Sequence, residues 1–305
     1  MVFGAGALGS VLGGFLSTRN DVTLIGRLPH VNKIKKFGLR ISGIWGNHVF
    51  HPKAYTSVDE VEEVPDLVII TTKSYDTPKA VDEVVKIAGP DTYVMSMQNG
   101  IGNEEKIAEK IGKERTLGGM AIFGAVLVEP GHSKVTVYAS ECLIGSLTEN
   151  IEIAEKIAEV FRESGIPALP TDDIIREKWM KAFYNIALNS LSSILMVKYG
   201  FLGRNKEAIK IMEDLIREAF QVAEAEGVNL KYTWEEYLDY FLKKQLPPTA
   251  EHESSMLQDI RRGKKTEIDY LNGAIVRLGK KHGIPTPANR IVTYLVKLLE
   301  KKRRE

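Results

Sequence analysis

The amino-acid sequence predicts two folded halves, an α/β half built on a doubly wound parallel sheet and then an all-α half. Three observations carry this. Short β-branched apolar runs alternate with helical patterns through the first half, and a glycine-rich turn joins the first run to the first helical pattern. From Thr171 onward, apolar residues recur at helical spacing and strand-like runs disappear. The length of 305 residues suits two domains of ordinary size. Hydrophobic residues at 44% and charged residues at 27% supply a sizeable core and exclude disorder over most of the chain.

In chain order, candidate strands are Met1 to Phe3, Val22 to Ile25, Leu67 to Thr71 and Tyr93 to Met97. Helices are expected at Gly9 to Thr18, Pro78 to Ile87 and Glu104 to Ile111. Such alternation predicts a parallel sheet covered on both faces. A Gly and aromatic segment from Phe37 to Phe50 reads as an inserted hairpin or loop. Gly118 to Phe123, Lys134 to Tyr138 and Cys142 to Ile144 read as further strands, and Ile151 to Ser164 as an amphipathic helix. The first domain is therefore expected over 1–168 and the second over 169–305. Thr171 followed by Asp172 and Asp173 is a helix start, because unpaired amides and the helix dipole favour a hydroxyl cap and early acids. Helices then cover about Asp173 to Leu195, Lys206 to Glu226, Trp234 to Lys244, Ser254 to Arg261, Glu267 to His282 and Ala288 to Lys301. Thr266 with Asp269 resembles a capping box, Ser254 a cap, and Lys302 to Glu305 a frayed, solvated end.

Lys and Arg number 41 against 40 for Asp and Glu, so no global field attracts nucleic acid or an anionic membrane. The single cysteine, Cys142, cannot form an internal disulfide, and no Cys/His cluster offers a metal site. No apolar run approaches the roughly 20 residues of a membrane-spanning helix, and the start lacks a signal-peptide layout. The expectation is a cytoplasmic protein. Many paired charges, many Ile and Lys, and few Cys or Gln suggest a heat-adapted source.

The sharpest local signal is Gly4-Ala5-Gly6-Ala7-Leu8-Gly9, a GxGxxG after a strand and opening a helix. In that setting Gly4 permits the tight turn, Gly6 lets backbone approach a pyrophosphate, and Gly9 permits close helix packing, as in a Rossmann dinucleotide-binding domain. Only three residues precede Gly4, where a central strand usually has about 5 or 6, which raises the expectation of a start assigned too late. The group that reads the adenosine ribose falls at the end of the second strand. An acid there selects NAD, but this chain has Gly26-Arg27, and a guanidinium pairs with a 2′-phosphate, favouring NADP. His30 and Lys33 either assist or are simply exposed.

Two more loops leave strand carboxyl ends, where open α/β sheets bind ligands: Thr72-Lys73-Ser74 and Gln98-Asn99-Gly100-Ile101-Gly102. Lys73 and Asn99 fit either a site or an ordinary loop. In the helical half, Lys181, Asn185 and Asn189 recur every four residues and form a polar stripe. Such a stripe is usually a solvated face, but two amides in place of Lys/Glu pairs are unusual.

Together with the segments GAGALGS, TTKSYDT, QNGIGNEE, KWMKAFYNIALNSLSSIL, SSMLQDI, TEIDYLNG and HGIPTPAN, these pieces make the chain resemble the ketopantoate reductase (2-dehydropantoate 2-reductase) family over nearly its whole length. Ser255 and Glu267, in two linked motifs, separate that family from other dinucleotide-binding dehydrogenases. The resemblance implies a Rossmann domain and a helical domain with the site in the cleft between them. It implies NADPH-dependent reduction of ketopantoate to pantoate in pantothenate and coenzyme A synthesis, with NADH possible. By motif, Lys181 is the implied proton donor, Asn185, Asn189, Ser254 and Ser255 bind substrate, and Lys73, Asn99 and Glu267 line the cofactor and reacting centre. Ala125 falls where the family makes a backbone contact to the cofactor. One departure stands out: Tyr199 occupies the place of a further substrate-binding Asn.

The residue types suit that chemistry. Hydride transfer to a ketone leaves negative charge on oxygen, which an ammonium such as that of Lys181 stabilises and then protonates. Glu267 serves either to accept from the substrate hydroxyl or to keep Lys181 charged. No metal is required. The alternatives are a reductase of another small 2-keto acid, since fold alone does not fix substrate, and a non-catalytic NADP-sensing protein. Symmetric pairing through helical surfaces makes a homodimer the expected assembly.

Overall fold

The computed structural model describes residues 1–148 and 150–302, so the expected frayed end beyond Lys302 lies outside the described residues. The chain divides into two compact units. One contains Met1–Gln98 and Asn103–Ile174; the other contains Asn99–Gly102 and the chain from Ile175 onward.

The first unit holds two sheets. Its strands are β1 (Val2–Phe3), β2 (Thr23–Ile25), β3 (Leu39–Gly43), β4 (His48–Phe50), β5 (Lys53–Tyr55), β6 (Leu67–Ile70), β7 (Tyr93–Ser96), β8 (Thr116–Met120), β9 (Phe123–Glu129), β10 (His132–Tyr138), β11 (Cys142–Ser146) and β12 (Ala168–Pro170). Eight strands form one sheet in the order β12-β11-β8-β7-β6-β1-β2-β5. Every neighbouring pair in it is parallel except β8 with β11. Val68, Ile69, Ile70, Val94 and Met95 are all buried, as strands covered on both faces require. Helices α1 (Ala7–Leu16), α2 (Leu28–Phe37), α3 (Thr77–Val85), α4 (Asn103–Ile111) and α5 (Ile151–Glu163) complete this unit. The parallel α/β fold read from the sequence is present.

Helix α1 lies close to the sheet because inward positions lack side chains. A Cβ on Gly13 would sit 2.2 Å from Leu24 Cδ2. A helical glycine costs about 1 kcal/mol against alanine, which the full burial of Val11 and Leu12 beside it offsets.

Several details of this unit differ from the sequence expectation, the unexpected strands β5 and β12 among them. The segment Phe37 to Phe50 does contain a hairpin, β3 with β4, but this joins β10 and β9 in a second sheet of order β4-β3-β10-β9. The expected strand Gly118 to Phe123 is two strands in two sheets. It breaks at Ala121 and Ile122, where the Ile122 carbonyl accepts the Ala139 N–H at 3.0 Å. Helix α2 was not expected, since its helical face is short: of its apolar residues only Val31 and Ile34 are buried, behind Pro29 in the first turn.

The second unit is helical, as expected. It holds α6 (Ile174–Leu195, whose first residue belongs to the first unit), α7 (Tyr199–Gly203), α8 (Lys206–Ala225), α9 (Trp234–Tyr240), α10 (Ser255–Arg261), α11 (Asn272–His282) and α12 (Pro287–Lys302). At its centre Phe183 stacks on Phe220 with ring centroids 4.2 Å apart and meets Tyr237 edge-on at 5.5 Å. The helix expected over Glu267 to His282 is split into a 3-10 turn, Ile268–Tyr270, and α11, with Leu271 non-helical between them. The Thr266–Asp269 capping box does not form. Thr266 instead donates its N–H and its hydroxyl to Glu300 Oε1, at 2.7 and 2.6 Å.

Buried Glu218 ties α8 to the start of α12. Its carboxylate accepts from Ala288 N at 2.8 Å, Asn289 N at 3.0 Å and Asn289 Nδ2 at 2.8 Å. Replacing Glu218 with Ala leaves three donors without their carboxylate, so Glu218→Ala should destabilise by about 3 kcal/mol in urea unfolding. A loss below about 0.5 kcal/mol would mean that these donors find other acceptors.

Candidate active site

Each glycine of the GxGxxG turn has its own physical reason. Gly4 has φ +106°, and a Cβ there would lie 2.8 Å from Thr72 N, so neither its conformation nor its space admits a side chain. At Gly9, a Cβ would lie 2.4 Å from Thr71 Oγ1 and 2.5 Å from the Gly4 carbonyl. Thr71 locks this contact by donating its hydroxyl to that same carbonyl at 2.8 Å. Gly6 differs: its φ is −85°, and a Cβ would meet only Gly4 O, at 3.8 Å. Neither strain nor packing explains Gly6. Space kept clear at the start of a helix, where the first amides lack intrahelical acceptors, suits an approaching phosphate. Ala7 and Leu8 continue the turn into α1, and α1 has no acid in its first turn.

Gly26 packs against this loop, since a Cβ on it would come 3.0 Å from Ala5 Cβ. Exposed Arg27 follows at the N-cap of α2. His30 is not exposed. Its Nδ1 accepts the Gly131 N–H at 2.8 Å, so the neutral ring carries its proton on Nε2, within 2.9 Å of Ser10 Oγ. Burial holds this imidazole below its ordinary pKa. His30 is a strut between α1, α2 and the β9–β10 turn, while Lys33 is exposed with its ammonium over Phe37.

Half-buried Lys73 precedes a 3-10 turn, Ser74–Asp76, at the end of β6. A buried amide and hydroxyl network fixes that loop. Gln98 Nε2 donates to the Thr72 carbonyl at 3.0 Å and to Thr77 Oγ1 at 2.8 Å, and Thr77 donates to Asn103 Oδ1 at 2.8 Å. Ala125 is half-buried on β9, paired with Val135.

Asn99 belongs to the helical unit. Its short segment is anchored there by buried Ile101, whose N–H donates to the Tyr270 carbonyl at 2.8 Å. Gly100, at φ +86°, makes the approach possible, because a Cβ on it would lie 2.7 Å from the Tyr270 carbonyl oxygen. Within this unit a pocket is lined by Asn99, Asn189, Ser255, Met256, Asp259, Glu267 and Leu271. Four residues singled out by motif, Asn99, Asn189, Ser255 and Glu267, thus share one wall. Lys181 and Asn185, both half-buried, lie two turns and one turn before Asn189 on α6, outside that lining.

Ser254 is not in the pocket lining. It is fully buried and its Oγ accepts the Leu257 N–H at 3.0 Å, capping α10 and so setting Ser255 at the first helical position. Asp259, Met256 and Leu271 are lining residues that sequence reasoning did not single out. Asp259 was detectable, since it stands four residues after Ser255 and shares its helix face. Among the described residues, no cluster of His, Cys, Asp and Glu is arranged to hold a metal ion, and no helix is long and apolar enough to cross a membrane.

The family described as ketopantoate reductase PanE/ApbA matches residues 1–149, and its C-terminal counterpart matches residues 173–300. The 2-dehydropantoate 2-reductase of Aquifex aeolicus is 41% identical, covering 98% of this chain and 96% of its own. The enzyme of that name from Pyrococcus horikoshii is 40% identical with the same coverage. Among solved structures, a PanE/ApbA family ketopantoate reductase from Ralstonia eutropha superposes with TM-score 0.89 at 32% identity, covering all of both chains. D-mandelate dehydrogenase with NADH and anilino(oxo)acetate gives the same TM-score, identity and coverage. With the glycine turn and the pocket motifs in place, this chain belongs to the ketopantoate reductase family of NAD(P)-dependent oxidoreductases.

Proposed function

We propose that this chain reduces 2-dehydropantoate (ketopantoate) to pantoate with NADPH, as a step of pantothenate and coenzyme A synthesis, and that Lys181 donates the proton. The observation that carries this reading is the pocket composition: five of its seven lining residues, Asn99, Asn189, Ser255, Asp259 and Glu267, bear polar side chains. The neutral groups Asn99, Asn189 and Ser255 can donate to the carboxylate and ketone oxygens of a small acid, and the two carboxylates can accept from its hydroxyl. Relatives at 40% and 41% identity carry the name of this activity.

The clear space at Gly6 and the amides opening α1 fit a dinucleotide pyrophosphate, and Arg27 fits the 2′-phosphate of NADPH. A bound dinucleotide would supply the hydride for the ketone carbon. As the ketone oxygen gains negative charge, the Lys181 ammonium stabilises it and then gives up a proton. Asn185 and Asn189 follow Lys181 on α6 at about 6 and 12 Å along the axis, forming a row of amides for the substrate's oxygens. Ser255 adds a hydroxyl at the start of α10, and Glu267 accepts from the substrate hydroxyl or keeps Lys181 charged.

A second reading, reduction of another 2-keto acid, is favoured by the likeness to D-mandelate dehydrogenase. An aromatic substituent in this pocket would offer no hydrogen bond to the polar groups of the lining, a loss of about 1–3 kcal/mol for each such bond.

Lys181→Ala should lower kcat for ketopantoate by roughly 100-fold or more while fluorescence titration still detects NADPH binding; near-normal kcat would remove Lys181 from the mechanism. Arg27→Asp should reduce kcat/KM for NADPH by roughly 10- to 100-fold and leave the NADH value much less affected. An equal effect on both cofactors would show that Arg27 does not read the 2′-phosphate. The glycines separate packing from binding. Gly6→Ala should keep the melting temperature and weaken dinucleotide binding, whereas Gly9→Ala should lower both, losing about 1–3 kcal/mol of stability to overpacking. Undiminished NADPH affinity in Gly6→Ala would refute the ligand role of that space.

A further inference from the structure

Tyr199 opens α7, and its hydroxyl is engaged by a pocket residue. Tyr199 Oη donates to Asn189 Oδ1 at 2.6 Å. Both side chains are buried, at 2% and 4% exposure, so water does not compete for this bond. The turn that delivers Tyr199 is itself tied down. Ser192 Oγ donates to the Val197 carbonyl at 2.6 Å, and Met196 between them adopts φ +60°. The ring meets Tyr184 edge-on, with centroids 5.9 Å apart, and tilts against His252 at 5.3 Å. Neither the phenol nor its backbone has room to wander.

An asparagine amide has one acceptor edge and one donor edge, and rotation by half a turn exchanges them. With Oδ1 held by a phenol proton, the N–H₂ edge of Asn189 is left for another acceptor. Rotated, the amide would present an oxygen to the oxygen of an incoming carboxylate.

We propose that Tyr199 is a positioning residue: it holds Asn189 in the single amide orientation that donates to the carboxylate of a 2-keto acid, and so sets substrate affinity without touching the reacting atoms. The inference rests on the reductase reading above and adds to it the residue that selects an anionic acceptor. Burial pushes the phenol pKa well up, so Tyr199 keeps its proton. A phenylalanine fills the same volume and keeps the ring contacts but removes the proton that biases the amide.

The test is a double-mutant cycle with NADPH and ketopantoate, using Tyr199→Phe, Asn189→Ala and the pair. Tyr199→Phe should raise KM for ketopantoate roughly five- to tenfold, with kcat changed less than about twofold and KM for NADPH unmoved. In the Asn189→Ala background, Tyr199→Phe should add nothing, because its target amide is gone. Melting temperatures of all four proteins report folding separately. Active wild-type enzyme whose two single losses multiply in the double variant, or whose Tyr199→Phe form keeps its ketopantoate KM, would overturn the role of Tyr199 alone. Wild-type enzyme that does not reduce ketopantoate would overturn the reductase reading, and this inference with it.

Discussion

At Gly9 the first helix, with no side chain of its own, packs against the Gly4 carbonyl and the Thr71 hydroxyl, and the glycine turn depends on that contact. The space of a Cβ is filled by the Gly4 carbonyl and by Thr71 Oγ1, which is hydrogen-bonded to that carbonyl. The contact therefore couples three parts of the first unit: the turn after β1, the start of α1 and the end of β6. Close packing transmits position, because interiors at crystal-like density have little room to relax. Once α1 is seated, the turn is held in shape, Gly26 can pack on Ala5, and Arg27 is delivered beside the loop. On the other side, the Gln98, Thr77 and Asn103 network fixes the loop that carries Lys73.

The helical unit solves a different problem, which is to bury amides and carboxylates in hydrogen-bonded groups, although the Asn272 and Gln245 side-chain oxygens find no partner. Asn272 donates to the Ile186 carbonyl at 3.2 Å and to Asn289 Oδ1 at 3.0 Å, while Asn289 donates to Glu218. Tyr199 and Asn189 form a second such pair, and Thr266 with Glu300 a third. Each link joins separate segments of the unit, so together they fix the helix positions more narrowly than apolar packing alone. The pocket gathers five polar side chains of that unit, Asn99, Asn189, Ser255, Asp259 and Glu267, into one lining. Ser254 and Ser255 illustrate the division within one dipeptide: the first is consumed by capping α10, and the second lines the pocket.

Much of the fold was legible in the sequence. The parallel strands announce themselves as β-branched runs, and α6 and α8 as long helical patterns. Interactions between distant segments were not legible. Nothing in Phe37 to Phe50 says that its hairpin pairs with β10, because strand pairing is decided by partners rather than by local pattern. Thr266 and Asp269 have the spacing of a capping box, yet Glu300, 34 residues away, competes successfully for the Thr266 amide. The candidate site divides in the same way. Gly4, Gly6 and Gly9 carry a meaning set by their immediate neighbours. Asn99, Asn189, Ser255 and Glu267 acquire theirs only when assembled into one pocket. Local sequence gives no sign that the Tyr199 hydroxyl bonds to Asn189, because that contact exists only once α6 and α7 are packed.

The central claim is that the polar pocket of the helical unit receives a small hydroxylated 2-keto acid rather than an aromatic one. The most direct measurement is kcat/KM with NADPH for ketopantoate against phenylglyoxylate, the keto acid related to mandelate, followed by cofactor absorbance. Buried polar groups reject an isostere that cannot pair with them far more strongly than they discriminate by size, so ketopantoate should be favoured by roughly 100-fold or more. Equal values, or a preference for phenylglyoxylate, would contradict the account.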